Sequence, residues 1–269
     1  MLSPEEIEQR RAALEAELGE PITVDGLTAT YRIFQRKKGH RHSTDDLLTG
    51  WYALEKTRGT AITRALDLGT GIGTVGMLVL SGLPAEAKLT CVEAQDVSYR
   101  FLRENLRANG LEDRVDARHG DLRDLALGER FPLVTGSPPY FDVSAGIVPS
   151  DSQKAHARFE LRGDVRDYAR VAKAHLEDGG LFVFCFPWPQ KARALAAARD
   201  EGFTVVAHRD VVPREGLAPL FSLFACRLEP GSEDEEPPFI VRHASGDHTQ
   251  AMHDVRARFG WPPSRSTRS

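Results

Sequence analysis

The sequence predicts an α/β protein built on a mostly parallel sheet with helices on both faces, and three observations carry this prediction. From Ala65 onward, short apolar runs alternate with stretches of helical pattern, which is typical of repeated β-α units. A glycine-rich turn follows the first apolar run, as at the strand-to-helix junction of many such folds. The apolar runs 203–211 and 220–227 are joined without room for a helix, so they are predicted to pair antiparallel.

Residues 1–60 are predicted to form an extension made of a helix, a hairpin and a second helix. The first helix is predicted over residues 4–18, which begin with a serine-proline pair and end at a glycine. Residues 22–35 alternate weakly between apolar and polar side chains and predict a hairpin with Asp25-Gly26 as its turn. The second helix is predicted over residues 44–56.

Residues 61–229 are predicted to form the core, and residues 230–259 to append one strand and one helix to it. The core strands are predicted at residues 65–68, 89–92, 115–119, 133–135, 181–186, 203–211 and 220–227. An acidic, proline-containing linker, a strand and a helix are then predicted at residues 229–238, 239–242 and 249–259. Residues 260–269 are predicted to be a disordered tail.

Composition favours an ordinary globular enzyme over a membrane, secreted or metal-binding protein. The chain of 269 residues is 41% hydrophobic and 28% charged. Its longest apolar runs fall well short of the about 20 residues that span a bilayer. Cys91, Cys185 and Cys226 lie in separate apolar segments, which predicts buried thiols without a disulfide or a zinc site. We therefore expect a cytoplasmic protein, a monomer or weak homodimer, with neither a metal nor a membrane partner.

The glycine-rich turn predicts a nucleotide-like ligand at the end of the first core strand. It contains Gly69, Thr70, Gly71 and Gly73. Because glycine has no side chain, the backbone of this turn can approach a ligand closely. Asp67 precedes it within the strand. Taken alone, such a turn could equally bind a dinucleotide.

Two acidic positions sharpen this prediction. Glu93 stands at the end of the second core strand, placed to accept hydrogen bonds from both hydroxyls of a ribose. Asp121, followed by Leu122, comes after the third strand, where a carboxylate can accept a hydrogen bond from the amino group of adenine. Because the carboxyl ends of parallel strands share one edge, these sites predict an adenosine-containing cofactor laid across the sheet.

The turn after the fourth core strand, Ser137-Pro138-Pro139-Tyr140, predicts chemistry at a planar nitrogen. Its two prolines have no N–H and fix the backbone, so that nearby carbonyl oxygens are held rigidly as acceptors. The Ser137 hydroxyl and the Pro138 carbonyl are predicted to hold an exocyclic amino group. Tyr140, together with Phe141, offers a flat face on which a base can stack.

Basic residues crowd near the N-terminus although the net charge of the chain is −4. The cluster comprises Arg32, Arg36, Lys37, Lys38, His40, Arg41 and His42. A solvated loop and a phosphate-binding patch explain it about equally well. The candidates for phosphate contacts are Arg36, Lys37, Lys38, Arg41, Arg158 and Arg162.

These motifs, in this order, resemble those of class I S-adenosylmethionine-dependent methyltransferases. The segment HSTDDLLTGWYA at residues 42–53 resembles the TDxxLLxxW stretch of the bacterial family that methylates N6 of adenine in the anticodon loop of a valine tRNA. Residues 156–187 and 239–255 resemble later segments of the same family, so the likeness covers about residues 31–259. It implies a Rossmann-like fold with seven strands in the order 3-2-1-4-5-7-6.

The resemblance also implies the cofactor and the reaction. The cofactor is expected to be S-adenosylmethionine, with Thr44 and Asp45 closing over its methionine end. The reaction is expected to be methylation of an exocyclic amino group, with N6 of adenine in tRNA or other RNA as the first choice. The family usually has Asn at the position of Ser137, and serine there is familiar in enzymes that methylate N4 of cytosine.

Three other functions remain open at this stage. The acceptor can be a glutamine amide of a protein or a small molecule in place of RNA. The chain can also be a non-catalytic relative that keeps only the cofactor pocket. A nicotinamide-dependent oxidoreductase would leave Pro138-Pro139 unexplained.

Overall fold

The computed structural model describes residues 1–39, 41–140 and 163–262. Their helices are α1 (Pro4–Leu18), α2 (Thr44–Lys56), α3 (Thr74–Gly82), α4 (Asp96–Ala108), α5 (Val165–His175), α6 (Lys191–Asp200) and α7 (Gln250–Arg258). Their strands are β1 (Ile22–Gly26), β2 (Arg32–Arg36), β3 (Arg64–Leu68), β4 (Lys88–Glu93), β5 (Val115–His119), β6 (Phe131–Gly136), β7 (Leu176–Pro187), β8 (Thr204–Val212), β9 (Phe221–Arg227) and β10 (Asp234–Ile240). Short 3₁₀ helices cover Leu122–Asp124 and Trp188–Gln190.

One eight-stranded sheet organises the chain, in the order β5-β4-β3-β6-β7-β9-β8-β10. The seven strands β3 to β9 confirm the predicted order 3-2-1-4-5-7-6, and β9 is antiparallel to both of its neighbours. The eighth strand, β10, lies parallel to β8 at the edge and makes the sheet one strand wider than predicted. The strand order reverses between β3 and β6, which is where open α/β sheets bind their ligands.

The two faces of the sheet bury different helices, and β7 shows how the sequence divides them. Phe182 and Phe184 point to the cluster that includes α5 and α6. Val183 and Cys185, in alternation with them, point to the cluster that includes α2, α3 and α4. None of the helices within the described ranges is both long and apolar enough to cross a membrane.

The acidic linker predicted at 229–238 is wrong over its second half, because β10 begins at Asp234. Pro237 and Pro238 lie inside this strand, and the pairing register shifts between Glu236 and Phe239. Prolines are tolerated here since β10 is an edge strand, where a missing N–H costs little.

Helix α2 holds this edge strand through Glu236. The Tyr52 hydroxyl donates to the Glu236 carboxylate at 2.9 Å, and the Lys56 ammonium pairs with the same carboxylate. A charged residue that looked like part of a solvated linker is therefore an anchor between the extension and the sheet.

The predicted position of the hairpin turn is also wrong. Asp25 and Gly26 belong to β1, where they pair with Ile33 and Arg32, and the turn spans residues 27–31. The Asp25 carboxylate accepts a hydrogen bond from the Gln35 side chain at 2.8 Å, so it bridges the two strands. Cross-strand use of the carboxylate, in place of the local turn, explains the difference.

Asn105 of α4 and Asn109, which follows the last residue of this helix, attach this hairpin to the core. The buried Asn105 side chain accepts from the Phe34 amide at 2.7 Å and donates to the Phe34 carbonyl at 3.3 Å and the Ile72 carbonyl at 2.9 Å. Asn109 likewise binds the amide and carbonyl of Arg32, at 2.8 and 2.7 Å. The two side-chain amides therefore bind the backbone of β2 as a neighbouring strand would, and Asn105 also connects β2 to the glycine-rich turn at Ile72.

Replacing Asn105 by Leu is expected to lower the free energy of unfolding by about 3 kcal/mol or more. The substitution keeps the volume but leaves three buried backbone groups unsatisfied, at about 1–3 kcal/mol each. Urea denaturation measures the change, and Arg103→Ala on the exposed face of the same helix serves as the control, expected within about 0.5 kcal/mol of the parent. A loss below 1 kcal/mol for Asn105→Leu would show that these bonds do not hold the hairpin.

Candidate active site

A cleft opens at the carboxyl ends of β3, β4, β5 and β6. Its wall is formed by His42, Asp46, Asp67, Gly69, Thr70, Gly71, Ile72, Thr74, Val75, Val92, Glu93, Ala94, Gln95, Ser98, Gly120, Asp121, Leu122, Ser137, Pro139 and Tyr168. Most of the predicted cofactor residues therefore meet in one place. Gly73, Thr44 and Asp45 do not line it, nor do Pro138 and Tyr140 of the acceptor turn.

The Asp67 carboxylate fixes the glycine-rich turn from below. One oxygen accepts from the Thr70 hydroxyl at 2.5 Å and from the Gly76 amide at 3.0 Å. The other oxygen accepts from the Thr135 hydroxyl of β6 at 2.6 Å. Because Asp67 is only 1% exposed, its main work in this structure is to hold β3, β6 and the turn together.

The Glu93 carboxylate holds the opposite side of the turn. Its Oε2 accepts from the Gly71 amide at 2.8 Å, and its Oε1 accepts from the Gln95 amide at 2.7 Å. The Glu93 side chain also lines the cleft, and its predicted contact with the ribose hydroxyls stays a prediction. This side chain thus holds the glycine-rich turn against the end of β4.

Asp121 lies at the start of the 3₁₀ helix Leu122–Asp124 and pairs with Arg123. Its carboxylate accepts from Arg123 Nε at 2.9 Å and from Arg123 Nη2 at 2.6 Å. The carboxylate lines the cleft in this pair, while Leu122 is buried beside it. The predicted contact of Asp121 with adenine stays a prediction.

The start of α2 reaches the cleft through residues that the sequence reasoning missed. Thr44 is exposed and Asp45 is turned away, whereas Asp46 and His42 form part of the wall. Asp46 Oδ2 accepts from the Ser43 amide at 3.1 Å and lies 3.4 Å from His42 Nδ1. The serine three residues before Asp46 is a capping-box signal, which points the Asp46 carboxylate back toward the helix start.

Tyr140 of the acceptor turn is held at three points. Its hydroxyl donates to Asp45 Oδ2 at 2.7 Å, and its backbone carbonyl accepts from Gln190 Nε2 at 2.6 Å. Its ring meets that of Phe186 edge to face at 6.1 Å. Burial raises the pKa of the Tyr140 hydroxyl well above its usual value, with smaller contributions from Cys185 and Asp45, so the hydroxyl stays a donor.

Cys185 joins the two ends of this turn from below. Its sulfur lies 3.6 Å from the Ser137 hydroxyl, to which it donates, and 3.6 Å from the Tyr140 hydroxyl. Burial raises the pKa of Cys185 to about 12, so the thiol keeps its proton near neutral pH. Sequence reasoning treated this cysteine as an apolar filler, but strand alternation places it on the α2 face directly under Ser137.

The bond between Asp45 and Tyr140 predicts non-additive effects on methyl transfer. Asp45→Ala is expected to slow transfer by about 5- to 10-fold, the value of one hydrogen bond that positions the ring. In a Tyr140→Phe background the same substitution is expected to change nothing further, because the hydroxyl it acts through is gone. Single-turnover rates of the four proteins test this, with Glu55→Ala at the far end of α2 as the control. Equal losses in both backgrounds would mean that Asp45 does not act through Tyr140.

The basic stretch is less free than its sequence suggests. Arg36 pairs with Glu20 at 2.6 Å, and Arg41 with Asp25 at 3.1 Å, while the two lysines that follow Arg36 are exposed. Three further candidates, Phe141, Arg158 and Arg162, lie outside the described residues, as does His40. Phosphate binding by this stretch therefore stays a prediction, with the lysines as its best-placed members.

The cleft is anionic, and this suits the expected cofactor. Its wall carries four acidic side chains, those of Asp46, Asp67, Glu93 and Asp121, of which Asp121 pairs with Arg123. Burial, with a further contribution from the charge of Asp46, raises the pKa of Asp67, against the hydrogen bonds that stabilise its carboxylate. S-adenosylmethionine carries a sulfonium and an ammonium group, so such surroundings favour it electrostatically. Ribose acceptors and an open glycine turn complete a set of residues that fits this cofactor.

Comparison with protein families gives an independent result. The family described as "Methyltransferase small domain" matches residues 52–186, which is half of the chain. This span begins in α2 and ends in β7, so it contains the glycine-rich turn, Glu93, Asp121 and the acceptor turn.

Individual relatives fall into two groups. A tRNA1(Val) (adenine(37)-N6)-methyltransferase of Actinobacillus pleuropneumoniae is 24% identical over 219 residues, covering 81% of this chain and 89% of the relative. A release factor glutamine methyltransferase of Xylella fastidiosa is 29% identical over 161 residues, 58% of each chain. Among solved structures, a predicted O-methyltransferase of Agrobacterium tumefaciens superposes with a TM-score of 0.63 at 22% identity, over 81% of this chain and 98% of that one. The last of these bears on the fold alone.

Proposed function

The chain belongs to the methyltransferase small-domain family and is an S-adenosylmethionine-dependent methyltransferase, and from this premise we propose that it methylates the N6 amino group of adenine in tRNA. The observation that carries the proposal is the acceptor turn Ser137–Tyr140 beside the cofactor cleft. Ser137 and Pro139 line the cleft itself, while Tyr140 is fixed next to it by Asp45 and Gln190.

The choice of tRNA rests on similarity and on charge. The Actinobacillus pleuropneumoniae relative, a tRNA1(Val) (adenine(37)-N6)-methyltransferase, aligns over 81% of the chain, whereas the glutamine methyltransferase aligns over 58% of it. The exposed Lys37 and Lys38 lie in the loop that leads to His42 at the cleft, where they support contacts to phosphate. The cytoplasm, which the sequence predicts, is where such a substrate is found.

The residues of the chain position the acceptor in this proposal. When bound, S-adenosylmethionine supplies an electrophilic methyl group on a sulfonium leaving group. The Ser137 hydroxyl and the Pro138 carbonyl accept the amino hydrogens of the base, which aims the nitrogen at the cleft. The Tyr140 ring stacks on the extruded base. As the nitrogen becomes cationic, the same hydrogen bonds strengthen, so alignment and electrostatics account for catalysis.

The N-terminal extension closes the cofactor site in this proposal. His42 and Asp46 already stand in the cleft wall, and Tyr52 and Lys56 of the same helix anchor it to β10. The division into an extension, a core of residues 61–229 and a C-terminal appendage stays a prediction.

Replacing Ser137 by Asn tests the acceptor directly. A side-chain carbonyl is a longer-reaching acceptor than a hydroxyl, so adenine methylation is expected to rise about 5-fold, the value of about 1 kcal/mol of hydrogen bonding. Nucleoside analysis of a tRNA substrate after reaction measures it, with Ser81→Asn at the exposed end of α3 as the control. Methylation of cytosine in place of adenine by the parent protein would instead show that Ser137 acts as serine does in enzymes that methylate N4 of cytosine.

A protein glutamine amide is the second candidate, and the Xylella fastidiosa relative is the observation in its favour. Ionic strength separates the two. Binding to RNA should weaken steeply between 50 and 200 mM salt because phosphate contacts release counterions. Binding to a release factor should change much less. No methylation of RNA, together with labelling of a glutamine, would replace the first proposal by the second.

A further inference from the structure

Tyr168 of α5 is placed where the cofactor and acceptor halves of the site meet. The helix begins at Asp164, whose side chain caps it, so Tyr168 lies in its first turns. The tyrosine is 5% exposed, and its remaining surface lies in the wall of the cleft. Sequence reasoning did not select it, because a tyrosine at helical spacing among apolar residues is ordinarily a core residue.

Two glycines make room for this side chain. A Cβ at Gly69 would lie 1.9 Å from the Tyr168 hydroxyl, and one at Gly136 would lie 2.9 Å from its ring. Gly69 follows β3 and Gly136 ends β6, the two strands between which the strand order reverses. The ring therefore fills the space between these strand ends, with its hydroxyl against the first glycine of the turn.

The hydroxyl has no hydrogen-bond partner within residues 1–39, 41–140 and 163–262. The Tyr168 side chain lies in the cleft wall, so its hydroxyl is available to a ligand that binds there. Burial, with the nearby charges of Glu93, Asp67 and Asp121, raises the pKa of Tyr168. The hydroxyl thus keeps its proton and offers it toward the cleft.

We infer that the Tyr168 hydroxyl donates a hydrogen bond to the carboxylate of the methionine part of S-adenosylmethionine. Glu93 ends β4, where the ribose is predicted, and Asp121 follows β5, where the adenine is predicted farther along the sheet. Tyr168 stands on the other side of the ribose, at β3 and β6 and beside Ser137. The amino-acid part of the cofactor is therefore the part that reaches it, and its carboxylate needs donors in an otherwise anionic cleft.

Calorimetric binding of two cofactor forms tests this inference. Tyr168→Phe keeps the ring that fills the space at Gly69 and Gly136 and removes only the hydroxyl. It is expected to weaken binding of S-adenosylmethionine about 10-fold or more, as for a hydrogen bond to a charged group. Binding of decarboxylated S-adenosylmethionine, which lacks the carboxylate, is expected to be the same for both proteins.

The outcomes against the inference are equally specific. Unchanged affinity of Tyr168→Phe for S-adenosylmethionine, or an equal loss for both cofactor forms, would overturn it. In the parent protein alone, equal affinity for the two forms would do so too, and this needs no variant. Tyr99→Phe is the matched control, because it removes a hydroxyl that bonds to the Ala117 carbonyl at 3.1 Å outside the cleft wall. Since only cofactor binding is measured, the result is independent of whether the acceptor is tRNA.

Discussion

Replacing Tyr140 by Ala is expected to slow methyl transfer by at least about 100-fold while S-adenosylmethionine binds as before. Stacking of a base on an aromatic ring is worth about 1–3 kcal/mol, and the lost alignment of the amino group adds to this. The cofactor affinity should hold because Tyr140 lies outside the cleft wall. Single-turnover transfer to tRNA and calorimetric binding of the cofactor measure the two quantities separately.

Tyr140→Phe is the matched control for this prediction. It keeps the ring and its edge contact with Phe186 but loses the bond to Asp45, so transfer is expected to slow only about 5- to 10-fold, as in Asp45→Ala. Loss of cofactor binding in Tyr140→Ala, with transfer per bound cofactor intact, would show that the turn supports the fold and not the acceptor.

Replacing Glu93 by Ala is expected to weaken binding of S-adenosylmethionine by about 100-fold or more. Two ribose hydroxyls would lose a charged acceptor, at about 1.5–3 kcal/mol each. The Gly71 and Gln95 amides would also lose the carboxylate that holds the glycine-rich turn. Isothermal calorimetry with the cofactor measures the change.

Glu93→Gln separates these contributions, since an amide oxygen can still accept one of the bonds. Its affinity is expected between those of the parent and Glu93→Ala. Glu112→Ala, which removes an exposed carboxylate after α4, is expected to leave affinity unchanged. Near-normal cofactor binding by Glu93→Ala would show that Glu93 does not bind the ribose of the cofactor.

The sheet was predictable because its information is local. Most of the strands β3 to β9 contain a short apolar run, and a strand order could be taken from the family resemblance. The ligand turn was predictable for the same reason, since Gly69 and Gly71 require positive φ and Glu93 follows the next strand. Local patterns therefore located the cleft wall around β3, β4 and β5.

The parts that escaped prediction depend on contacts distant in sequence. Asp45 and Asp46 are adjacent, yet one bonds to Tyr140 and the other lines the cleft, which only the orientation of α2 decides. Tyr168 and Cys185 read as apolar core positions because their partners, Gly69 and Ser137, come from other strands. The edge strand β10 was hidden by its prolines, whose cost is low only at an edge.

Methyl transfer to an unmodified valine tRNA transcript tests directly whether this protein methylates N6 of adenine in tRNA. The protein is incubated with labelled S-adenosylmethionine and the transcript, and the nucleosides are separated after complete digestion. Label is expected in N6-methyladenosine from the anticodon loop, and it is expected to be lost in Tyr140→Ala. Label in no RNA nucleoside, with label on a glutamine of a release factor supplied in parallel, would contradict it.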